Sequence, residues 1–113
     1  IFGGRSMGGR ICSMAAAESM PTAGLLLLSY PLHPPTSPEK LRVDHFENIE
    51  SPTLFVSGNN DPFGSPEEFK QHVSSIKGNV TTEFLEGGRH DPSSRAHIVS
   101  IVDAVTSWVS AFS

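Results

Sequence analysis

The chain reads as an α/β protein, with about four parallel strands alternating with helices and the first strand cut short at the start of the chain. Three observations point there. A short, continuous apolar stretch, Ala23 to Leu28, suits a strand buried on both faces of a parallel sheet, and Thr53 to Ser57 reads as a second strand. Helix-capping and helical-period signals fall between such stretches. The two kinds of signal alternate from end to end, the pattern of parallel strands joined by crossovers.

Taken in order, Ile1 to Gly3 is the tail of a strand, and Ser6 to Glu18, rich in Ala and Met, is a helix. Ala23 to Leu28, after Pro21, is the next strand. The loop from Tyr30 to Pro38 holds four prolines, which lack the N–H that a helix needs, so no helix crosses it. A short helical turn is expected over Asp44 to Asn48. Thr53 to Ser57 is opened by Pro52 and closed by Gly58. Ser65, Pro66 and Glu68 form a helix start, with Ser65 as N-cap, Pro66 at the first helical position and Glu68 completing a capping box. Phe69, Val73 and Ile76 then share one face, and Gly78 is expected to end that helix. Val80 to Leu85 alternates as a strand, broken by Gly87-Gly88. Ile98, Val102, Val105, Trp108/Val109 and Phe112 recur at three- and four-residue steps and are expected to form one packing face of a last helix.

The 113 residues suit one domain. With 37% hydrophobic and 18% charged residues, the composition belongs to a folding chain and not to a disordered one. The net charge of −4 and the scattered Lys and Arg residues argue against a nucleic-acid partner. The apolar run Ala23 to Leu28 is far too short to span a membrane. Cys12 stands alone, so it can form neither an internal disulfide nor a metal cluster. It leans toward a reducing, intracellular compartment and reads as a small, buried apolar side chain. No cofactor fingerprint, signal peptide or transit peptide is visible within these residues.

Gly4-Arg5-Ser6-Met7-Gly8 matches G-x-S-x-G, with an apolar stub before it and a helical stretch after it, as a nucleophile elbow requires. In such a turn, side chains at Gly4 and Gly8 are expected to collide with backbone, and Ser6 is held strained with its hydroxyl exposed. The plainer alternative is a Gly-rich turn in which Ser6 caps a helix. A serine hydroxyl is a poor nucleophile without a base, usually a histidine oriented by a carboxylate. Asp61 follows one strand within Gly58-Asn59-Asn60-Asp61-Pro62, and His90 follows another within Gly87-Gly88-Arg89-His90-Asp91. Both are strand ends, where parallel sheets carry their chemistry. The order Ser, Asp, His is that of the α/β-hydrolase arrangement. Asp91 reads as a salt-bridge or capping residue, and Asp44 and Asp103 as surface residues. His45, His72 and His97 read as ordinary packed or solvated side chains. Arg5 and His33 are candidates for the rim of a substrate pocket, His33 because its loop follows a strand end.

Phe2-Gly3-Gly4-Arg5-Ser6-Met7-Gly8-Gly9-Arg10, Tyr30-Pro31-Leu32-His33-Pro34-Pro35, Gly58-Asn59-Asn60-Asp61-Pro62-Phe63-Gly64 and Gly87-Gly88-Arg89-His90-Asp91 occur in that order. Together they resemble the α/β-hydrolase family that includes testis-expressed protein 30 and the third regulatory subunit of the NSL histone-acetyltransferase complex, a family distantly similar to dienelactone hydrolases. The resemblance covers nearly the whole chain. It implies a longer domain, whose earlier strands and second oxyanion donor precede the elbow, so residues 1–113 are expected to be the C-terminal half of the fold. Dienelactone hydrolases proper use a cysteine nucleophile, whereas Ser6 stands here.

Two functions follow as expectations. The first is a serine hydrolase acting on a small ester-like substrate, in which Ser6 attacks, His90 is the base, Asp61 orients it and the Met7 N–H is one oxyanion donor. The second is a non-catalytic interaction module that keeps the fold. If the sheet stops at Ile1 to Gly3, that strand is an exposed edge, which a protein partner or the missing half is expected to cover.

Overall fold

The computed structural model describes residues 1–18 and 22–111. Its four strands, β1 (Phe2–Arg5), β2 (Leu25–Leu28), β3 (Thr53–Gly58) and β4 (Val80–Leu85), form one parallel sheet in the order β1-β2-β3-β4. The register pairs Phe2 with Leu25, Leu25 with Thr53 and Thr53 with Val80. The strands therefore run level, and their C-terminal ends line up along one edge of the sheet. Helix α1 (Met7–Ala17) follows β1, α2 (Pro66–Val73) follows β3 and α3 (Arg95–Ser110) follows β4.

All six residues of β3 are buried, as a central strand requires. Strand β2 is asymmetric, with Leu25 and Leu27 fully buried and Leu26 and Leu28 only partly so. The difference from the expected two-sided burial comes from what covers each face. On one face, α1, α2 and the β2–β3 connection pack Leu25, Leu27 and Phe55 into a large core. On the other, α3 alone supplies Ile101, Ala104, Val105 and Trp108 against Leu54, Val56 and Leu85.

The β2–β3 connection takes the place of a crossover helix. Tyr30, Leu32, Phe46 and Ile49 along it are fully buried, and its regular structure is a 3₁₀ turn at Phe46–Asn48, within the expected helical turn. Its aromatic side chains join a run of inclined rings, with Tyr30–Phe46 centroids at 5.4 Å, Phe46–Phe55 at 5.9 Å, Phe55–Phe69 at 5.6 Å and Phe69–Phe84 at 5.9 Å. The Tyr30 hydroxyl donates to the Arg42 carbonyl at 2.7 Å, and burial pushes its pKa up to about 12, so it stays a neutral donor.

Two sequence expectations are corrected. Helix α2 ends at Val73, short of Gly78. Gly78 instead lets two chain segments cross, because a Cβ there would lie 2.1 Å from the Ser51 carbonyl oxygen. The packing face of α3 is Ile101, Ala104, Val105 and Trp108, whereas Ile98, Val102 and Val109 are exposed. The helix is apolar on two overlapping stripes, and periodicity alone does not tell which one meets the sheet. Phe112, assigned to the same face, lies outside the described residues, as does Pro21.

Candidate active site

The turn after β1 is tight for a reason visible in its atoms. A Cβ on Gly4 would lie 2.6 Å from the backbone carbon of Gly8, so only glycine fits. The second crowded position is Gly9, whose Cβ would lie 2.9 Å from the Gly4 carbonyl oxygen. At Gly8 a Cβ would meet nothing within 4 Å, which corrects the expected clash there: the backbone of Gly8, not its missing side chain, fills the gap. Ser6, between strand and helix, has φ 52° and ψ −120°, a conformation that L-residues rarely hold. Its N–H donates to the Leu28 carbonyl at 2.8 Å, which anchors the turn to the neighbouring strand. Met7 opens α1, so its N–H points out of the helix end without an intrahelical partner.

Asp61 lies just past β3, with its side chain fully buried, and His90 just past β4, one quarter exposed. The structure brings both to Ser6. Ser6 Oγ is 2.8 Å from His90 Nε2, and His90 Nδ1 is 2.9 Å from Asp61 Oδ2. An ionised carboxylate only accepts, so Nδ1 carries the proton and Nε2 is left to accept from the Ser6 hydroxyl. The other carboxylate oxygen, Oδ1, accepts from the Phe63 N–H at 2.8 Å.

The two loops are fastened to each other. The Asn60 N–H donates to the Gly88 carbonyl at 2.8 Å. The Asn59 side chain accepts from the Gly87 N–H at 2.8 Å and donates to Glu86 Oε2 at 3.0 Å. Gly58 and Gly88 touch so closely that a Cβ on Gly58 would fall 2.1 Å from the Gly88 oxygen. At Gly87, φ is +72°, which favours glycine.

Arg5 pairs with Asp91 at the exposed rim beside His90. His33 is 4% exposed, and both of its ring nitrogens face acceptors: the Pro34 carbonyl at 2.8 Å and Glu68 Oε2 at 2.7 Å. Burial disfavours the charged ring, but these two partners outweigh it and raise the His33 pKa. His45 contacts Ser13 Oγ at 2.7 Å, and burial together with Arg10 lowers its pKa. Sequence reasoning passed over Phe63, whose ring stacks on His90, and the second role of Glu68, which binds His33 as well as capping α2. The position of Phe63, next but one to Asp61, was the available signal for the first. Nothing in the spacing of residues 33 and 68 announces the second. Among the described residues, no group of three His, Cys, Asp or Glu side chains comes together as a metal would require, and no helix is long and apolar enough to cross a membrane.

The sequence pattern of the alpha/beta hydrolase domain matches residues 1–108. The chain belongs to the alpha/beta hydrolase family. This hydrolase domain is similar in fold to an alpha-beta serine hydrolase homologue from Coxiella burnetii, at 22% identity and a TM-score of 0.71 over 93% of this chain and 47% of that one. It is similar to Est1E from Butyrivibrio proteoclasticus, at 17% identity and a TM-score of 0.71 over 96% and 60%. It is also similar to a dienelactone hydrolase from Anabaena variabilis, at 17% identity and a TM-score of 0.72 over 94% and 46%. The alpha/beta hydrolase domain described here thus spans between 46% and 60% of the length of these three proteins.

Proposed function

We propose that this chain carries the reacting centre of a serine hydrolase that cleaves small ester-like substrates. The observation that supports it best is the continuous hydrogen-bonded path from Ser6 through His90 to Asp61, contributed by three strand ends. In this reading Ser6 Oγ attacks the carbonyl carbon while His90 Nε2 takes its proton. The carbonyl oxygen becomes an oxyanion, and the Met7 N–H at the start of α1 donates to it; a single such donor contributes about 10²–10³ in turnover in comparable enzymes. The tetrahedral centre collapses, and His90 returns the proton to the departing alcohol. Water, deprotonated by His90, then attacks the acyl-Ser6 ester, and Ser6 leaves with its proton restored. Asp61 stays ionised, holds the Nδ1–H tautomer and stabilises the imidazolium. Arg5, exposed at the rim beside His90, would meet the substrate as it enters. Within the family, we place the chain with the group that includes testis-expressed protein 30 and the third NSL regulatory subunit, on the residues around Ser6 and the Tyr30 to Pro35 loop.

A fluorophosphonate probe tests this in the whole protein as its source makes it. Labelling that disappears in Ser6→Ala is the expected result. A protein that is present but unlabelled, beside a control hydrolase that labels, would instead favour the interaction module.

A further inference from the structure

Phe63 meets the Asp61–His90 pair with both its backbone and its ring. Its N–H occupies the carboxylate oxygen that His90 does not use, at 2.8 Å. Its ring lies on the His90 imidazole, with centroids 4.0 Å apart and planes inclined by 29°. Phe63 is itself held from behind, since its carbonyl accepts from the His33 N–H at 3.2 Å and the His33 ring is fixed by Pro34 and Glu68.

His90 sits on a loop and is one quarter exposed, and its ring is held by one hydrogen bond at each nitrogen, to Asp61 and to Ser6, which leaves it free to turn about the line that joins them. A flat ring at stacking distance removes that freedom on one side. It also presents a π face to the imidazole, and a π face attracts a cation. The imidazolium formed when His90 takes the Ser6 proton is therefore favoured at the moment of attack.

We propose that Phe63 is a positioning residue, its ring holding His90 in line with Ser6 and favouring the charged imidazole. This rests on the hydrolase reading above. A leucine would fill much of the same space without offering a flat π face, so Phe63→Leu removes the stack on His90 and leaves the volume.

The test compares Phe63→Leu and Phe63→Tyr in the full-length protein, with an aryl acetate ester as substrate, the fluorophosphonate as label and proton NMR of the His90 ring. In Phe63→Leu, kcat is expected to fall about 10-fold with KM nearly unchanged, since orientation is lost and binding is not. The His90 ring protons should move downfield as the shielding of the stacked ring is lost. Phe63→Tyr keeps the stack and should restore both readouts. A rise in KM at constant kcat would make Phe63 a pocket wall and overturn the proposal, as would an unmoved His90 resonance. Unlabelled wild-type protein overturns the hydrolase reading and the role of Phe63 with it. Labelled wild type with unchanged kcat in Phe63→Leu overturns the role of Phe63 alone.

Discussion

Ser6 holds φ 52° and ψ −120° in a chain where Ser29 is the other described non-glycine residue at positive φ. Such a conformation costs about 1–3 kcal/mol for a residue with a Cβ, and glycine escapes most of it. Ser6→Ala and Ser6→Gly should therefore both lose probe labelling but differ in stability. The alanine variant keeps the strain, whereas the glycine variant should be more stable by about 1 kcal/mol or more and unfold at a correspondingly higher urea midpoint. Equal midpoints would mean that the turn is relaxed. The Arg5–Asp91 pair at the rim is exposed on both sides and adds little to stability. At this scale the sequence was informative where chemistry restricts the residue type. Ser6, Asp61 and His90 stood out because a serine in a G-x-S-x-G turn, an aspartate and a histidine in that order at strand ends are few. Gly9 and the ring of Phe63 did not, because their importance lies in distances of 2.9 Å and 4.0 Å that no spacing encodes.

Helix α2 is the element most fully specified by its own residues. Ser65 Oγ accepts from the Glu68 N–H at 3.2 Å, and the Ser65 N–H donates to Glu68 Oε1 at 3.0 Å, a capping box such as the sequence suggested. Its end was not legible, since the chain leaves the helix at Val73 through turns shaped by the neighbouring β2–β3 connection. The second oxygen of Glu68 couples this cap to His33, and that coupling depends on pH. Burial acts to raise the Glu68 pKa, but the Ser65 N–H and His33 outweigh it, so the carboxyl titrates below its ordinary value. Its stabilisation is present above the ordinary carboxylate pKa and is lost as pH falls through the lowered one. His33, with a raised pKa, stabilises fully below the ordinary histidine value of 6.5 and loses that contribution as pH rises through its raised one. The His33 contribution should therefore be greater near about pH 5.5 than near about pH 8.5, the lowered pKa of His45 acting in the opposite sense, and His33→Gln should shift the difference between the two pH values toward the alkaline side. Urea melts at the two pH values would show this, and an unchanged slope in the variant would remove His33 as the cause.

The radius of gyration of 13.0 Å is what a compact chain of this length has, so the sheet and its covering layers close into a body although the chain spans about half the length of the proteins it resembles. The closure is uneven. Ile98, Val99 and Val102 on α3 and Ile11 and Met14 on α1 are exposed apolar side chains. Residues 1–113 alone should associate as concentration rises, and Ile98→Lys with Val102→Lys should suppress this. Sedimentation velocity decides it, and a single species at all concentrations in the unmodified chain would count against the expectation. The parallel architecture was legible in the alternation of apolar stretches with caps, because period and composition are local properties. Which stripe of α3 turns inward was not, because only the shape of the opposing sheet selects Trp108 over Val102. The contact between Gly58 and Gly88 has a bearing on descent. Asp61 and His90 ride on loops that interlock through two bare backbones, so a side chain gained at Gly58 shifts both loops together, whereas a Cβ at Gly88 would meet the Gly58 Cα at 3.0 Å. A lineage that drifts at Gly58 disturbs both loops in a single step, and this glycine should be inherited wherever Asp61 and His90 are kept.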